Sequence, residues 1–310
     1  MQKRPINQSY ITLLQQKKWL TWSLILLITV IWGYSWVLMK ESLFYMGPFT
    51  FSAFRFGTGA LTLFVILIMM RAPLPPKDQW KHLIMIGILQ TSIVFLLTMY
   101  GLRFVDAGKS SVLLYSMPIF SSMFAARFLQ EKLTKQKAVG LGIGLFGLIT
   151  ILGWDVLIVQ DPLVIFGEGL IIIGAISWGV SNVYYRKNIK GLSQLQVTAY
   201  QMMFGTIGII LAALAMEAGD PVILNGHSMY IVLFTGVLAS ALCFTGWFIL
   251  LSAVDMVTAT ISTLLVPVFG VLFSTILLGE TLTIGIIIGS LFILAGIVIA
   301  QISVKKGDRE

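Results

Sequence analysis

The sequence predicts an all-α integral membrane protein whose ten transmembrane helices form two inverted five-helix repeats. Three observations carry this reading. Hydrophobic residues make up 57% of the 310 and charged residues only 11%, against about 25% charged in an ordinary soluble domain. Apolar stretches recur along the whole chain, each near the roughly 20 residues that a helix needs to cross a hydrocarbon core about 30 Å thick. One phrase is also written twice: PIFSSMFAARFLQEKLT at 118–134 returns as PVFGVLFSTILLGETLT at 267–283. Stretches such as IIIGAISWGV lack the alternation that a membrane barrel requires, so helices are preferred over strands.

The first stretch, 19–39, follows Lys3, Arg4, Lys17 and Lys18, and no small-x-small cleavage site follows it at YSWVLMKES. It is therefore an uncleaved helix and not a secretory signal. The second, 50–70, carries Arg55 and ends at Arg71, Lys77 and Lys81; the third, 82–102, ends at Arg103. The fourth, 108–129, contains Pro118 and leads into Arg127, Lys132, Lys135 and Lys137. The fifth, 136–153, has Gly140 and Gly144 at small-xxx-small spacing, which lets helix backbones approach closely. The sixth, 163–185, carries Glu168 and runs into Arg186, Lys187 and Lys190. The seventh and eighth span 194–216 and 228–250; the ninth, 257–278, contains Pro267; the tenth, 284–303, holds Gly285 and Gly289. Prolines inside helices remove a backbone bond and kink the chain, so Pro118 and Pro267 are expected kink sites. The fifth and tenth helices are read as a packing pair away from the cargo path, with a homodimer face there left open.

Threading these stretches with the N-terminus in the cytoplasm sorts the basic residues. Inside fall the groups named above together with Lys305, Lys306 and Arg309; outside remain only Lys40, Arg103 and Lys109. This asymmetry is what the positive-inside rule asks for. The net charge of +8 is thus a matter of orientation in a bilayer and not a nucleic-acid footprint. It also explains the repeated phrase. Five crossings are an odd number, so a second copy of the same unit enters from the other face. Its loop then has no use for the Arg and Lys of the first copy. Gly87, Phe95, Val105, Asp106, Gly140 and Gly147 meet Gly236, Phe244, Val254, Asp255, Gly289 and Gly296 at an offset of 149. Upstream the offset slips to 146, where IWGYSW at 31–36 meets SWGVSN at 177–182. The organisation is then a cytoplasmic segment 1–18, a first repeat 19–155, a second repeat 156–303 and a cytoplasmic tail 304–310. Inverted halves are a common build for secondary transporters, which hold substrate near the midplane where the halves meet.

A Trp-Gly opening each half and a Pro followed by L-x-E-x-L-T in each fourth helix resemble the drug/metabolite transporter superfamily, in its ten-helix EamA-type branch. The resemblance covers residues 19–303. It implies a carrier with both termini cytoplasmic that exports small metabolites, amino acids or drugs. Related four-helix carriers use a glutamate in their first helix for coupling, and TWSLILLITVIWGYSWVLM contains no acid.

Cavity candidates are polar or aromatic residues aligned on otherwise apolar helices. They are Trp32, Ser35 and Trp36, matched by Trp178, Ser181 and Asn182; Thr91, Phe95 and Thr98, matched by Ser240, Phe244 and Trp247; and, in the fourth helix of each half, Ser111 and Tyr115 before Pro118 and Thr260 and Thr263 before Pro267. Arg55 and Glu168 are the charges placed within the apolar core, at similar depth from the outer face. An intramembrane charge is a functional hypothesis by default, and the two are expected to form an ion pair or a shared polar network. The alternative has Arg55 reaching lipid headgroups and Glu168 ending in interfacial water.

The single Cys243 supplies neither disulfide nor metal cluster, and His82 and His227 lie at helix ends, so no metal or cofactor is expected. DAGKS at 106–110 lacks the first Gly of a phosphate loop and is read as an external loop. The expected function is a gradient-driven or equilibrating carrier in the cell membrane. It exports small metabolites such as amino acids, aromatic or amphipathic ones included, by alternating access. Uptake or multidrug efflux is the alternative within the class. A non-transporting scaffold or intramembrane enzyme is the alternative outside it.

Overall fold

The computed structural model describes residues 17–129, 135–154, 161–253, 263 and 265–301. Thr260, Glu131, Lys132 and both terminal segments fall outside them. Among the described residues every regular element is a helix: α1 (Lys18–Ser42), α2 (Pro48–Met69), α3 (Lys77–Gly101), α4 (Ala107–Leu114), α5 (Met117–Phe128), α6 (Lys135–Trp154), α7 (Pro162–Asn188), α8 (Gln194–Met216), α9 (226–253), α10 (Leu265–Leu278) and α11 (Ile284–Gln301). Six of them, α1, α2, α3, α7, α8 and α9, are long and apolar enough to cross a membrane.

The helix starts follow local chemistry. Asp161 caps α7 by accepting from the Leu163 N–H, with Pro162 in the first turn. Ser193 with Gln196, and Asn225 with Ser228, close reciprocal capping boxes at α8 and α9. Two other starts lack a local cap and are closed from a distance. The Glu217 carboxylate, at the end of α8, accepts from the N–H groups of Phe49 and Thr50 at 2.8 and 2.7 Å, opening α2. Glu280 accepts from Ala107 and Gly108 at 2.7 and 2.9 Å, opening α4. In each case a negative charge sits on the positive end of a helix dipole.

The fourth apolar stretch is not one kinked helix. It breaks at Tyr115–Ser116 into α4 and α5, and Pro118 stands in the first turn of α5. There the missing N–H has no intrahelical partner to lose, so the proline starts a helix instead of bending one. Pro267 is the third residue of α10, and residue 264 before it lies outside the described residues. DAGKS opens α4 and is no loop: Lys109 is 5% exposed on a helix buried along its length.

Helices α3 and α9 each pass through a π-helical segment, Gly87–Ile93 and Phe234–Leu242. Such wide turns often mark functional stretches. The contacts are reciprocal between halves: α1 packs on α10 as α7 packs on α5, and α2 packs on the π segment of α9 as α8 packs on that of α3. The expected pair α6 and α11 forms. A Cβ on Gly296 would lie 2.4 Å from the Gly144 nitrogen, and one on Gly147 would lie 2.6 Å from the Gly289 oxygen, so only glycine allows this approach. Large apolar side chains such as Leu61, Ile68, Leu211, Leu214, Ile276 and Leu291 point outward, while Ser52, Thr98, Ser111, Ser181 and Ser240 are buried. An apolar outer surface over a core that mixes apolar with polar side chains suits a lipid surrounding.

Candidate functional site

A continuous aromatic chain runs through the middle of the bundle. Trp247 meets Trp32 at 6.2 Å between ring centroids, Trp32 meets Phe244 at 5.4 Å, Phe244 stacks on Trp178 at 6.4 Å, and Trp178 meets Tyr115 at 5.9 Å. All five are candidates drawn from the sequence, and they come from α1, α4–α5, α7 and α9, that is, from both halves. Trp32 is fixed by its indole N–H donating to the Ala239 carbonyl at 2.8 Å. The Trp178 indole N–H is buried and has no acceptor among the described residues.

Beside this chain lies Arg55, 3% exposed on α2. Its Nε donates to Ser240 Oγ at 3.0 Å and its Nη1 to Met39 Sδ at 2.9 Å. The guanidinium carbon stands 5.0 Å from the centre of the Phe56 ring and 4.9 Å from that of Phe95. Thus Ser240 and Phe95, two further candidates, gather at the charge. Headgroup contact is excluded, because the side chain turns into the protein. The expected partnership with Glu168 is absent. Glu168 pairs instead with Lys109, and both are buried. The sequence reading counted Lys109 with the outer charges because DAGKS was read as an external loop, whereas it is the buried first turn of α4. Among the described ion pairs, Arg55 has none. Placing Arg at a helix centre costs about 2.5 to 3.5 kcal/mol, and desolvated cation–π contact returns about 2 kcal/mol. The rings therefore offset part of the cost, and a neutral hydroxyl and a thioether leave the charge itself uncompensated.

Of the remaining candidates, some join helices and others bond within their own helix or are simply buried. Thr91 Oγ1 donates to Gln201 Oε1 at 2.7 Å, joining α3 to α8, and Ser181 Oγ donates to Gln90 Oε1 at 3.2 Å, joining α7 to α3. Ser35 and Ser111 bond carbonyls of their own helices, at Ile31 and Gly108. Asn182 reaches Met117 and Ser121 on α5. Trp36 and Thr263 are buried, as is Thr98, whose hydroxyl faces Gly174. Sequence reasoning missed Gln90 and Gln201, whose amide nitrogens are buried without a partner among the described residues. An amide inside an apolar run, as in AYQMM, was the available signal. It also missed Lys40, whose ammonium binds the carbonyls of Leu102 and Val105 at 2.7 and 2.8 Å behind α3. A separate cavity of about 210 Å³ opens between α4, α10 and α11; Tyr115 is its wall toward the aromatic chain and its other lining is almost wholly apolar. No group of three or more metal-ligating side chains occurs among the described residues.

Comparison with known proteins gives the context of this site. The model of the EamA-like transporter family matches twice, at residues 19–153 and 165–301. An uncharacterized transporter of Bacillus subtilis (strain 168), YoaV, is 35% identical over 88% of this chain and 94% of its own length. Proteins named as probable amino-acid metabolite efflux pumps, from Salmonella typhimurium and Escherichia coli, are 23% and 25% identical, each over 89% of this chain and 93% of its own. A solved crystal structure at 20% identity superposes with a TM-score of 0.63, covering 94% of this chain and 97% of the other, a likeness of fold alone. The two matches lie on either side of the point where the sequence divides into halves, and on them the chain is a multi-pass membrane protein belonging to the EamA-like transporter family.

Proposed function

We propose that the chain is a secondary transporter of ten membrane crossings that exports small aromatic or amphipathic metabolites, amino acids among them. Its two halves are inverted copies, and one rocks against the other around a shared central site. The observation that carries this reading is the aromatic chain from Trp247 to Tyr115, built from both halves at once. A relative movement of the halves must open and re-form it. Aromatic faces suit apolar or cationic parts of a cargo. Unfilled donors on Trp178, Gln90 and Gln201 suit its polar end.

The inverted arrangement is supported by reciprocal contacts between matched positions, and the distribution of Lys and Arg supports cytoplasmic termini in a cell membrane. Relatives named as amino-acid efflux pumps favour the same cargo class. The test is counter-flow through the purified chain in liposomes. Preloaded unlabelled amino acids should drive uptake of labelled ones against empty-liposome controls. A chain that exchanges nothing from a broad metabolite panel is a scaffold, and the proposal fails.

A further inference from the structure

The charge on Arg55 is not required by the bond it makes. At the matched place in the second half stands Gln201, on α8, and it joins Thr91 on α3 just as Arg55 on α2 joins Ser240 on α9. The backbones agree as well: a Cβ on Gly236 would meet the Arg55 carbonyl at 2.8 Å, and one on Gly87 would meet the Gln201 carbonyl at 2.5 Å. An uncharged amide thus satisfies the same helix contact in one half, while the other half carries a guanidinium. The other buried cation among the described residues, Lys109, is compensated by Glu168, and the half-buried Lys40 by the carbonyls of Leu102 and Val105. Arg55 has only a hydroxyl, a sulfur and two ring faces, and its Nη2 has no acceptor among the described residues. A second unfilled donor, the Trp178 indole N–H, lies on the ring stacked against Phe244, four residues beyond Ser240.

We propose that Arg55 is the anchor for a carboxylate carried by the transported molecule, with Trp178 as an auxiliary donor and the aromatic chain receiving the remainder of the cargo. This rests on the transporter reading above and narrows it to carboxylate-bearing cargo. Arginine's planar fork matches a carboxylate in two parallel bonds. In a low-dielectric site the incoming anion supplies the counter-charge that the protein withholds. The empty site is then costly, and loaded cargo relieves that cost.

The experiment uses the full chain in liposomes and compares three amino acids, L-phenylalanine, L-leucine and L-threonine, with their amides, in which a neutral carboxamide of similar shape replaces the carboxylate. The wild type should prefer an acid over its amide by at least about ten-fold, the worth of a buried hydrogen bond to a charged group. Arg55→Gln, which copies the residue at the matched position, should bring acid and amide to within about two-fold of each other. Should that variant not fold, Arg55→Lys keeps the charge and loses the fork. It should weaken the acid selectively, whereas equal weakening of both compounds overturns the proposal. Amides exchanged as well as acids by the wild type leave transport standing and sink the role of Arg55 alone. No exchange of any compound sinks both readings. Full competition by inorganic phosphate marks a site for free anions and also overturns it.

Discussion

Gln201 accepts from Thr91 at 2.7 Å where, in the other half, Arg55 donates to Ser240 at 3.0 Å. The pair joins α8 to α3 in a buried setting, and each partner is almost wholly removed from water. Thr91→Val keeps the shape and removes the donor, leaving an amide oxygen orphaned. The expected loss of stability is about 1 to 3 kcal/mol, read as a lower unfolding temperature of the purified protein in detergent. An unchanged temperature would mean the bond contributes nothing.

Lys109 and Glu168 form a buried pair between α4 and α7. Removing one charge strands the other, so Lys109→Met and Glu168→Met should each destabilise by about 3 to 5 kcal/mol. Replacing both with methionine should recover much of that loss, since a buried pair costs desolvation on both sides. A double-mutant cycle on the unfolding temperature checks this; additive losses would contradict it.

The carboxylates of Glu217 and Glu280 close the starts of α2 and α4. Substituting either by Gln removes charge from a helix N-terminus and keeps an acceptor. The expected cost is about 1 kcal/mol each. Hydrogen exchange of Phe49, Thr50, Ala107 and Gly108 should accelerate locally, and exchange elsewhere should hardly change.

Phe244 touches both Trp32 and Trp178. Phe244→Leu keeps much of the bulk and removes the aromatic face. The half-saturating concentration for an aromatic cargo should rise about two- to ten-fold, while an aliphatic cargo changes less. Equal effects on both cargoes would place the ring outside the site.

Much of this was legible in the sequence because lipid imposes simple rules. Helices must satisfy their own backbones, so runs of apolar length announce themselves, and the duplicated phrase fixed how the two halves correspond. The aromatic chain was legible too: Trp32, Tyr115, Trp178, Phe244 and Trp247 were aligned by helical spacing alone, and the structure brings them together. Pairing was not. Arg55 and Glu168 match in depth, and depth says nothing about which face of a helix meets which neighbour; Lys109 meets Glu168 because α4 is buried along its whole length, its first turn included. The split of the fourth stretch at Tyr115–Ser116 was hidden because a proline that starts a helix reads like one that bends it. The Glu of the repeated L-x-E-x-L-T motif had no visible role until Glu280 was found on the first N–H groups of α4.

The antiparallel relation of the halves is tested most directly by labelling from one face. Cys243 is the sole cysteine and is buried, so Cys243→Ala gives a clean background. Lys135→Cys and Thr281→Cys then place one thiol at an exposed position near the end of each repeated phrase. In intact cells an impermeant maleimide should modify the Thr281→Cys chain and spare the Lys135→Cys chain, with both modified once the membrane is opened. Modification of both in intact cells, or of neither until the membrane is opened, would contradict the account.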